Sequence, residues 1–183
     1  QKIMLIGNTI NIRHLQYGEL DAWIAAKNNA VTMGEFTTFQ MTSLVIVQNE
    51  FAQNGLSSEA METFVIVGKF DQLIGTICHF PATGYASARE IGFSIFANEF
   101  RNQGVATEAV ALLVQYLFET KPINRLQMVM PVQHQACEKV ALKAGFVKEG
   151  VARGLLFIRG NYCDCNIYAL LRNDFINLQD NKN

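Results

Sequence analysis

Arg101-Asn102-Gln103-Gly104-Val105-Ala106-Thr107 is the stretch whose residue types and spacing could do chemistry with an anion. An alternating apolar run, Glu90–Phe96, precedes it, and an amphipathic pattern follows as far as Glu119. The spacing predicts a strand, a tight glycine loop and a helix. A helix start carries backbone N–H groups without intrahelical acceptors and the positive end of the helix dipole. Behind a small loop, such an end can hold a phosphate or pyrophosphate. Gly104 and Ala106 have little or no side chain, so an anion can approach the backbone closely, and Thr107 adds a hydroxyl in the first turn. The plainer reading of the loop alone is an ordinary strand-to-helix turn. Two better-known phosphate loops are excluded, because the chain has neither G-x-x-x-x-G-K-[ST] nor G-x-G-x-x-G.

Other side chains offer reactive groups, each with a structural alternative. Glu90 can take a proton as a general base, or it is a surface carboxylate beside Arg89. Cys137 shares a helical face with Val140, Ala141 and Ala144, which suits a small buried residue; near a helix start it can also be a thiol of tuned pKa. His134 reads as a solvated loop histidine. His14 and His79 have no partners at metal-site spacing, so no metal is expected. The four cysteines (Cys78, Cys137, Cys163, Cys165) contain no C-x-x-C pair, and reduced thiols in a cytosol are the simplest reading.

The elements that must position these groups follow from periodicity. Strands are predicted at Thr9–Arg13, Glu62–Val67, Leu73–Phe80, Glu90–Phe96, Leu126–Met130 and Tyr162–Leu171, with Val147–Arg153 and Phe157–Ile158 leading into the last hairpin. Gly75 marks a candidate bulge. Helices are predicted at Gly18–Asn28, from a Thr42 cap to Gln53, after the glycine loop, and at Gln135–Ala144, where Gly145 is a natural stop. The helix after the loop carries the stripe Val105, Ala109, Leu112, Leu113 and Tyr116. Met33–Gln40 and Pro81–Ser87 read as loops, and Asn177–Asn183 as a frayed polar tail.

The 183 residues suit one domain with a sizeable core, and half of them are hydrophobic. A net charge of −1, from 15 basic and 16 acidic residues, gives no electrostatic reason to expect nucleic acid. No apolar run approaches the length of a membrane span, and Lys2–Ile6 is too short for a signal-peptide core. Because the chain opens with Gln1, a residue or tag is expected to have been removed.

With its flanks, the loop resembles the acetyl-CoA-binding core of the GNAT acetyltransferases, most closely the RimJ/RimL-type branch. Glu90-Ile91-Gly92-Phe93 and Phe100 to Ala109 carry the likeness, with Arg101, Gly104 and Ala106 matching [RQ]-x-x-G-x-[GA]. It continues through Asn124-Arg125-Leu126, Lys143-Ala144-Gly145-Phe146 and Gly160-Asn161-Tyr162-Cys163-Asp164 with Tyr168, and is weak before Glu90. The resemblance implies an α/β fold with a mixed, strongly twisted sheet, helices on both faces, and splayed central strands at Glu90–Phe96 and Leu126–Met130. It implies one acetyltransferase domain over residues 1–183, with the early region forming part of the acceptor pocket.

For the site, the resemblance implies acetyl-CoA held by Arg101 through Thr107, by strand N–H groups at Phe93, Ser94 and Ile95, and beside His134. The strand groups would bond the pantetheine arm and polarise the thioester carbonyl. Glu90 would take the amine proton, and Cys137 would give one to the leaving thiolate. Asp164 would shape the acceptor site or hold an amine, or else anchor the turn; Tyr168 would be core. His134 and Cys137 stand where the family usually has the Asn and Ser of N-x-A-[SC]. The implied activity is acetyl transfer to an amine, either a protein N-terminus (ribosomal in RimJ/RimL-like proteins) or a small molecule such as a polyamine or antibiotic. A CoA-binding sensor without turnover is the rival reading. No membrane or nucleic-acid partner is expected, the location is cytoplasmic, and a homodimer is left open.

Overall fold

The computed structural model describes residues 4–82, 84 and 87–181. In chain order the elements are β1 (Leu5–Ile6), β2 (Ile10–His14), α1 (Leu20–Lys27), α2 (Ala30–Met33), α3 (Leu44–Asn54), β3 (Glu62–Gly68), β4 (Leu73–Pro81) and β5 (Ala88–Ile95). Then come α4 (Val105–Thr120), β6 (Arg125–Pro131), α5 (Gln135–Lys143), β7 (Val147–Ile158), β8 (Asn161–Leu171) and α6 (Arg172–Asp180). The strands form one sheet in the order β1-β2-β3-β4-β5-β6-β8-β7. Every neighbouring pair is antiparallel except β5 and β6.

Strand alternation divides the core between two faces. Phe64 and Ile66 of β3 point to one side, where they pack with Ala109, Leu113 and Leu117 of α4 and Ala141 of α5. Val65 and Val67 point to the other, where Leu20, Trp23 and Ile24 of α1 and Val47 of α3 cover them. β3 is therefore buried at every position, as a strand covered on both faces must be.

The parallel pair is short. Ala88, Arg89 and Glu90 pair with Arg125, Leu126 and Gln127, and pairing stops there. Beyond that point each strand follows its other neighbour. β5 stays registered with β4 to Gly75↔Ile95, and β6 stays with β8 to Pro131↔Cys165. The sheet is open between them, as the expected splay requires.

Several local expectations are corrected. The second predicted helix starts after Ser43, not Thr42, and Ser43 makes no side-chain cap. The short helix α2 was not anticipated; it is started by the Asn29 side chain, which accepts from the amides of Val31 (2.9 Å) and Thr32 (3.3 Å). The buried face of α4 includes Val110, Val114 and Leu117, while Leu112 and Tyr116 lie at its margin. Near Gly75 the ladder slips, with Ile74 as the extra residue, and a Cβ on Gly75 would collide with the Ser94 carbonyl. The polar tail is helical through Asp180, because Phe175 packs on Phe118 (5.1 Å) and Arg172 donates to the carbonyls of Phe118, Lys121 and Ile123. Residues 83, 85 and 86 of the expected loop and the last two residues of the tail lie outside the described residues.

Candidate active site

The glycine loop builds a backbone donor site. Gly104 is the N-cap of α4 at φ 79° and ψ 0°, and Asn102 is also left-handed at φ 58°. The first helical bond runs from Glu108 N–H to the Gly104 oxygen, 3.0 Å. The amides of residues 104–107 donate to no acceptor among the described residues. Nothing lies within 4 Å of the position a Cβ would take on Gly104. Free donors, open space and a sixteen-residue helix dipole together suit an anion. Glu108 fixes the helix start from behind by accepting from the amide and hydroxyl of Thr9 and the amide of Asn8.

The Arg101 side chain turns away from that space. Its Nε and Nη2 donate to the Ile95 carbonyl (3.2 and 3.0 Å), and Nη2 also reaches the Thr32 carbonyl at 2.6 Å. It ties the loop to the end of β5 and to α2. Gln103 is exposed and does not line the cleft in front of the loop, whereas Arg101, Asn102, Gly104, Val105, Ala106 and Thr107 do.

β5 supplies a second set of donors. Ala82 N–H bonds the Ala88 oxygen (3.0 Å) and Phe96 N–H bonds the Ile74 oxygen (2.9 Å), which brackets the β4–β5 ladder and fixes its phase. Antiparallel residues alternate in the direction of their peptide groups. Glu90, Gly92 and Ser94 therefore turn their N–H groups to β4, while Phe93 and Ile95 turn theirs to the gap beside β6. Arg101 already occupies the Ile95 oxygen. Ser94 contributes its side chain, not its amide. Phe93, Ser94 and Ile95 all line the cleft, although they belong to opposite faces of one strand, so the opening is a slot through the sheet. The cleft encloses about 640 Å³, and α5 closes its far side with His134, Cys137, Val140 and Lys143.

Glu90 stands at the last paired step before the slot, on the face opposite Ile91. Its carboxylate accepts from Gln127 Nε2 at 2.7 Å. Burial pushes its pKa above the usual carboxylate range, partly opposed by that hydrogen bond. It does not sit beside the Arg89 guanidinium. Arg89 points to the other face, is buried, and donates to His79 Nδ1 at 2.6 Å. His79 Nε2 in turn meets Glu62, 2.8 Å away, and His14 Nε2 meets Glu62 at 2.9 Å. This chain across β2, β3, β4 and β5, buried except at His14, has no signature in sequence spacing, since each strand contributes one residue.

Cys137 lies in the first turn of α5 and lines the cleft. Its thiol is not lowered by the helix start; burial pushes it up to about 12. His134 is the N-cap of α5, half-buried and stacked on Phe36 (4.7 Å between ring centres, 26° between planes). Burial lowers its pKa, with Glu35 opposing. It is not a solvated loop histidine. Asp164 accepts from Gly154 N–H at 2.8 Å and holds the β7–β8 bulge, and it does not itself line the cleft. Tyr168 is buried and its hydroxyl donates to Glu138.

A profile described as the acetyltransferase (GNAT) domain matches residues 9–147. The chain belongs to the GNAT acetyltransferases. Their reaction is acetyl transfer from acetyl-CoA to an amine, which places this chain among acetyl-CoA-dependent N-acetyltransferases. The probable N-acetyltransferase YjcK of Bacillus subtilis is 27% identical over 180 residues, covering 93% of this chain and 98% of that protein. The uncharacterized N-acetyltransferase YoaA of the same organism is 33% identical over 55% of this chain, and the match spans 56% of that protein. The ribosomal-protein-serine acetyltransferase of Escherichia coli is 27% identical over 57% of this chain and 58% of its own length.

Solved GNAT structures share the fold. A RimL ribosomal L7/L12 alpha-N-protein acetyltransferase in complex with coenzyme A superposes with a TM-score of 0.80 at 19% identity, over 92% of this chain and 98% of that one. A spermidine N-acetyltransferase from Vibrio cholerae, with CoA and spermine, gives 0.81 at 20% identity, over 93% and 99%. The GNAT match reaches back to residue 9, well into the region where sequence motifs are weak. In that region Met33 to Thr37 line the cleft, as do Lys139 and Lys143 of α5. None of these was read from the sequence as a site residue; the α5 lysines are spaced i, i+4 on one helical face, which was the signal available.

Proposed function

We propose that residues 1–183 act as one acetyltransferase domain that acetylates a primary amine by direct attack in a ternary complex. The observation that carries this reading is the run of unpartnered amides at the start of α4, aimed at open space beside the slot between β5 and β6. That arrangement fits the cosubstrate: the amides of residues 104–107 suit a pyrophosphate, and the slot suits an extended amide-bearing arm. Asn102 and Thr107 flank the loop, and His134 and Cys137 line the opposite wall. Arg101 supports the loop through its bonds to the Ile95 and Thr32 carbonyls rather than by meeting a phosphate. When bound, acetyl-CoA supplies an activated acetyl thioester.

The chain's own residues do the rest. The Phe93 and Ile95 amides, free of the ladder on the slot side, can donate to a carbonyl oxygen that gains charge. Glu90, with its raised pKa and its fixed bond to Gln127, suits a general base for the amine, directly or through water. Cys137 is a neutral thiol at working pH. It can donate a hydrogen bond to a leaving sulfur, and it is unsuited to attack as a thiolate. Asp164 acts as an anchor of the hairpin rather than as a substrate ligand.

For the acceptor, we favour a polypeptide N-terminus. Glu35 is the one carboxylate among the cleft-lining residues, against Arg101, Lys139 and Lys143. That balance offers no acidic cradle for a polyamine. The names of the Escherichia coli relative and of the RimL structure support the same class. A cytoplasmic location is consistent with four free thiols and with no helix among the described residues long and apolar enough to cross a membrane. A homodimer is part of the proposal only as an assembly to be measured. The test is thiol release from acetyl-CoA with peptides beginning Ser, Ala or Met, compared with spermidine. Release with peptides alone supports the reading. CoA affinity without release from any amine would make the chain a binding module instead.

A further inference from the structure

The helix α2 is one turn long and cannot hold its own position. Gly34 N–H bonds the Val31 oxygen at 3.2 Å, not the Ala30 oxygen. The Ala30 and Gly34 carbonyls instead both accept from Arg159 Nη2, each at 3.2 Å. The Thr32 carbonyl accepts from Arg101 Nη2 at 2.6 Å. Two guanidinium groups, from the glycine loop and from the β7–β8 turn, thus satisfy the end of one short helix. The chain beyond it, Glu35-Phe36-Thr37, lines the cleft, and Phe36 stacks on His134 at the start of α5. This strap is pinned by three separate segments of the chain.

Arg159 occupies an unusual place for that task. It has φ 49° and is followed by Gly160 at φ 86°, so the β7–β8 turn is left-handed at both central residues. Such turns favour Asn or Asp at the first position, and a long side chain there carries strain. A strained residue persists where its side chain has work elsewhere. Here the side chain reaches back about 125 residues in sequence to α2.

We propose that Arg101 and Arg159 are positioning residues for the amine acceptor, acting by holding residues 30–37 as a fixed wall of the cleft. The inference rests on the acetyltransferase reading above. It makes Arg159, which touches neither cosubstrate loop nor slot, a determinant of acceptor KM.

The decisive variant is Arg159→Asn, which relieves the left-handed strain and removes the tether. Its melting temperature should hold or rise. KM for the acceptor, a peptide with a free N-terminal serine, should rise about tenfold, while KM for acetyl-CoA stays within twofold. Arg159→Lys, which can reach the same carbonyls from one nitrogen, should recover part of the loss. Arg101→Gln should raise both KM values, since it also loosens the loop. Acceptor KM within twofold of wild type in Arg159→Asn would overturn the proposal. Amide hydrogen exchange at residues 31–34 gives a readout independent of turnover. It should accelerate at least tenfold in Arg159→Asn, and unchanged protection would sink the strap even if no tested amine is acetylated. Absence of turnover in the wild-type protein would instead count against the function proposed above.

Discussion

Replacing Gly104 separates two effects that the loop geometry combines. Gly104 sits at φ 79° with empty space where a Cβ would go. No side-chain clash arises, so the folding cost of a substitution is backbone strain alone. For an L-residue in the left-handed region that is roughly 1–2 kcal/mol. In a chain of this size each kcal/mol lowers the melting temperature by roughly 2–4 °C. Gly104→Ala should therefore fall by a few degrees and Gly104→Val by more, because a branched side chain tolerates the conformation worst. Gly104→Asn should cost least, since Asn adopts the left-handed region readily. CoA affinity should follow a different order. Asn and Val both fill the space in front of the four free amides, so each should weaken CoA binding by about tenfold or more, on the order of 1.4 kcal/mol. Thermal unfolding and calorimetric titration with CoA measure the two axes separately. Folded Gly104→Asn and Gly104→Val proteins that bind CoA as the wild type does would refute the assignment of the loop to the pyrophosphate.

Glu90→Gln should lower turnover about a hundredfold near neutral pH, in the range of general-base contributions, while sparing KM for acetyl-CoA. The deficit should shrink at high pH, where the amine is already deprotonated, and wild-type rates at every pH would remove Glu90 from the mechanism. Cys137→Ala should reduce turnover only modestly, because a thiol held up to about 12 stays protonated. Intact-mass measurement after mixing with acetyl-CoA alone should show no acetyl adduct, and a stoichiometric adduct discharged by amine would make Cys137 the nucleophile. Stability should fall with acid in two stages. His79 has its folded pKa lowered, burial being the largest cause, so the unfolded chain takes up that proton first and stability declines as pH falls through about 6.5. Glu62 is held well below the usual carboxylate range by His14 and His79 against its burial, so its stabilisation is present above about 4.5 and is lost as pH falls further. Urea midpoints between pH 8 and 4 should show both stages; a flat upper stage would argue against burial as the dominant influence on His79.

The strands and the long helix were legible because burial on a sheet imposes strict periods. The glycine loop was legible because it combines a short motif with a strand before and an amphipathic helix after. The direction of the Arg101 side chain was not, since its partners, the carbonyls of Ile95 and Thr32, are backbone atoms from two other segments. The same holds for α2, whose four residues show no period and whose start depends on one Asn29 side chain. His134 looks like a loop residue in sequence, yet it is stacked on Phe36 from nearly a hundred positions earlier. Cys137 shows the limit from the other side. Its apolar helical neighbours pointed to a buried residue; it is partly buried against the core, and that burial, not the helix start, decides the state of its thiol.

The slot between β5 and β6 has a mechanical consequence. Among the described residues, three residue pairs of the β5–β6 ladder join the half-sheet β1–β5 to the half-sheet β6–β8. Cooperative unfolding of the two halves must be carried largely by what spans the seam, and the apolar cluster that includes Ala109, Leu113 and Leu117 of α4 together with Leu126 and Met128 of β6 does so. A sheet severed in this way is prone to open as two subglobal units. An arm lying in the slot and bonded to its free amides would act as the missing length of ladder, fusing the halves into one cooperative body while the reaction is under way.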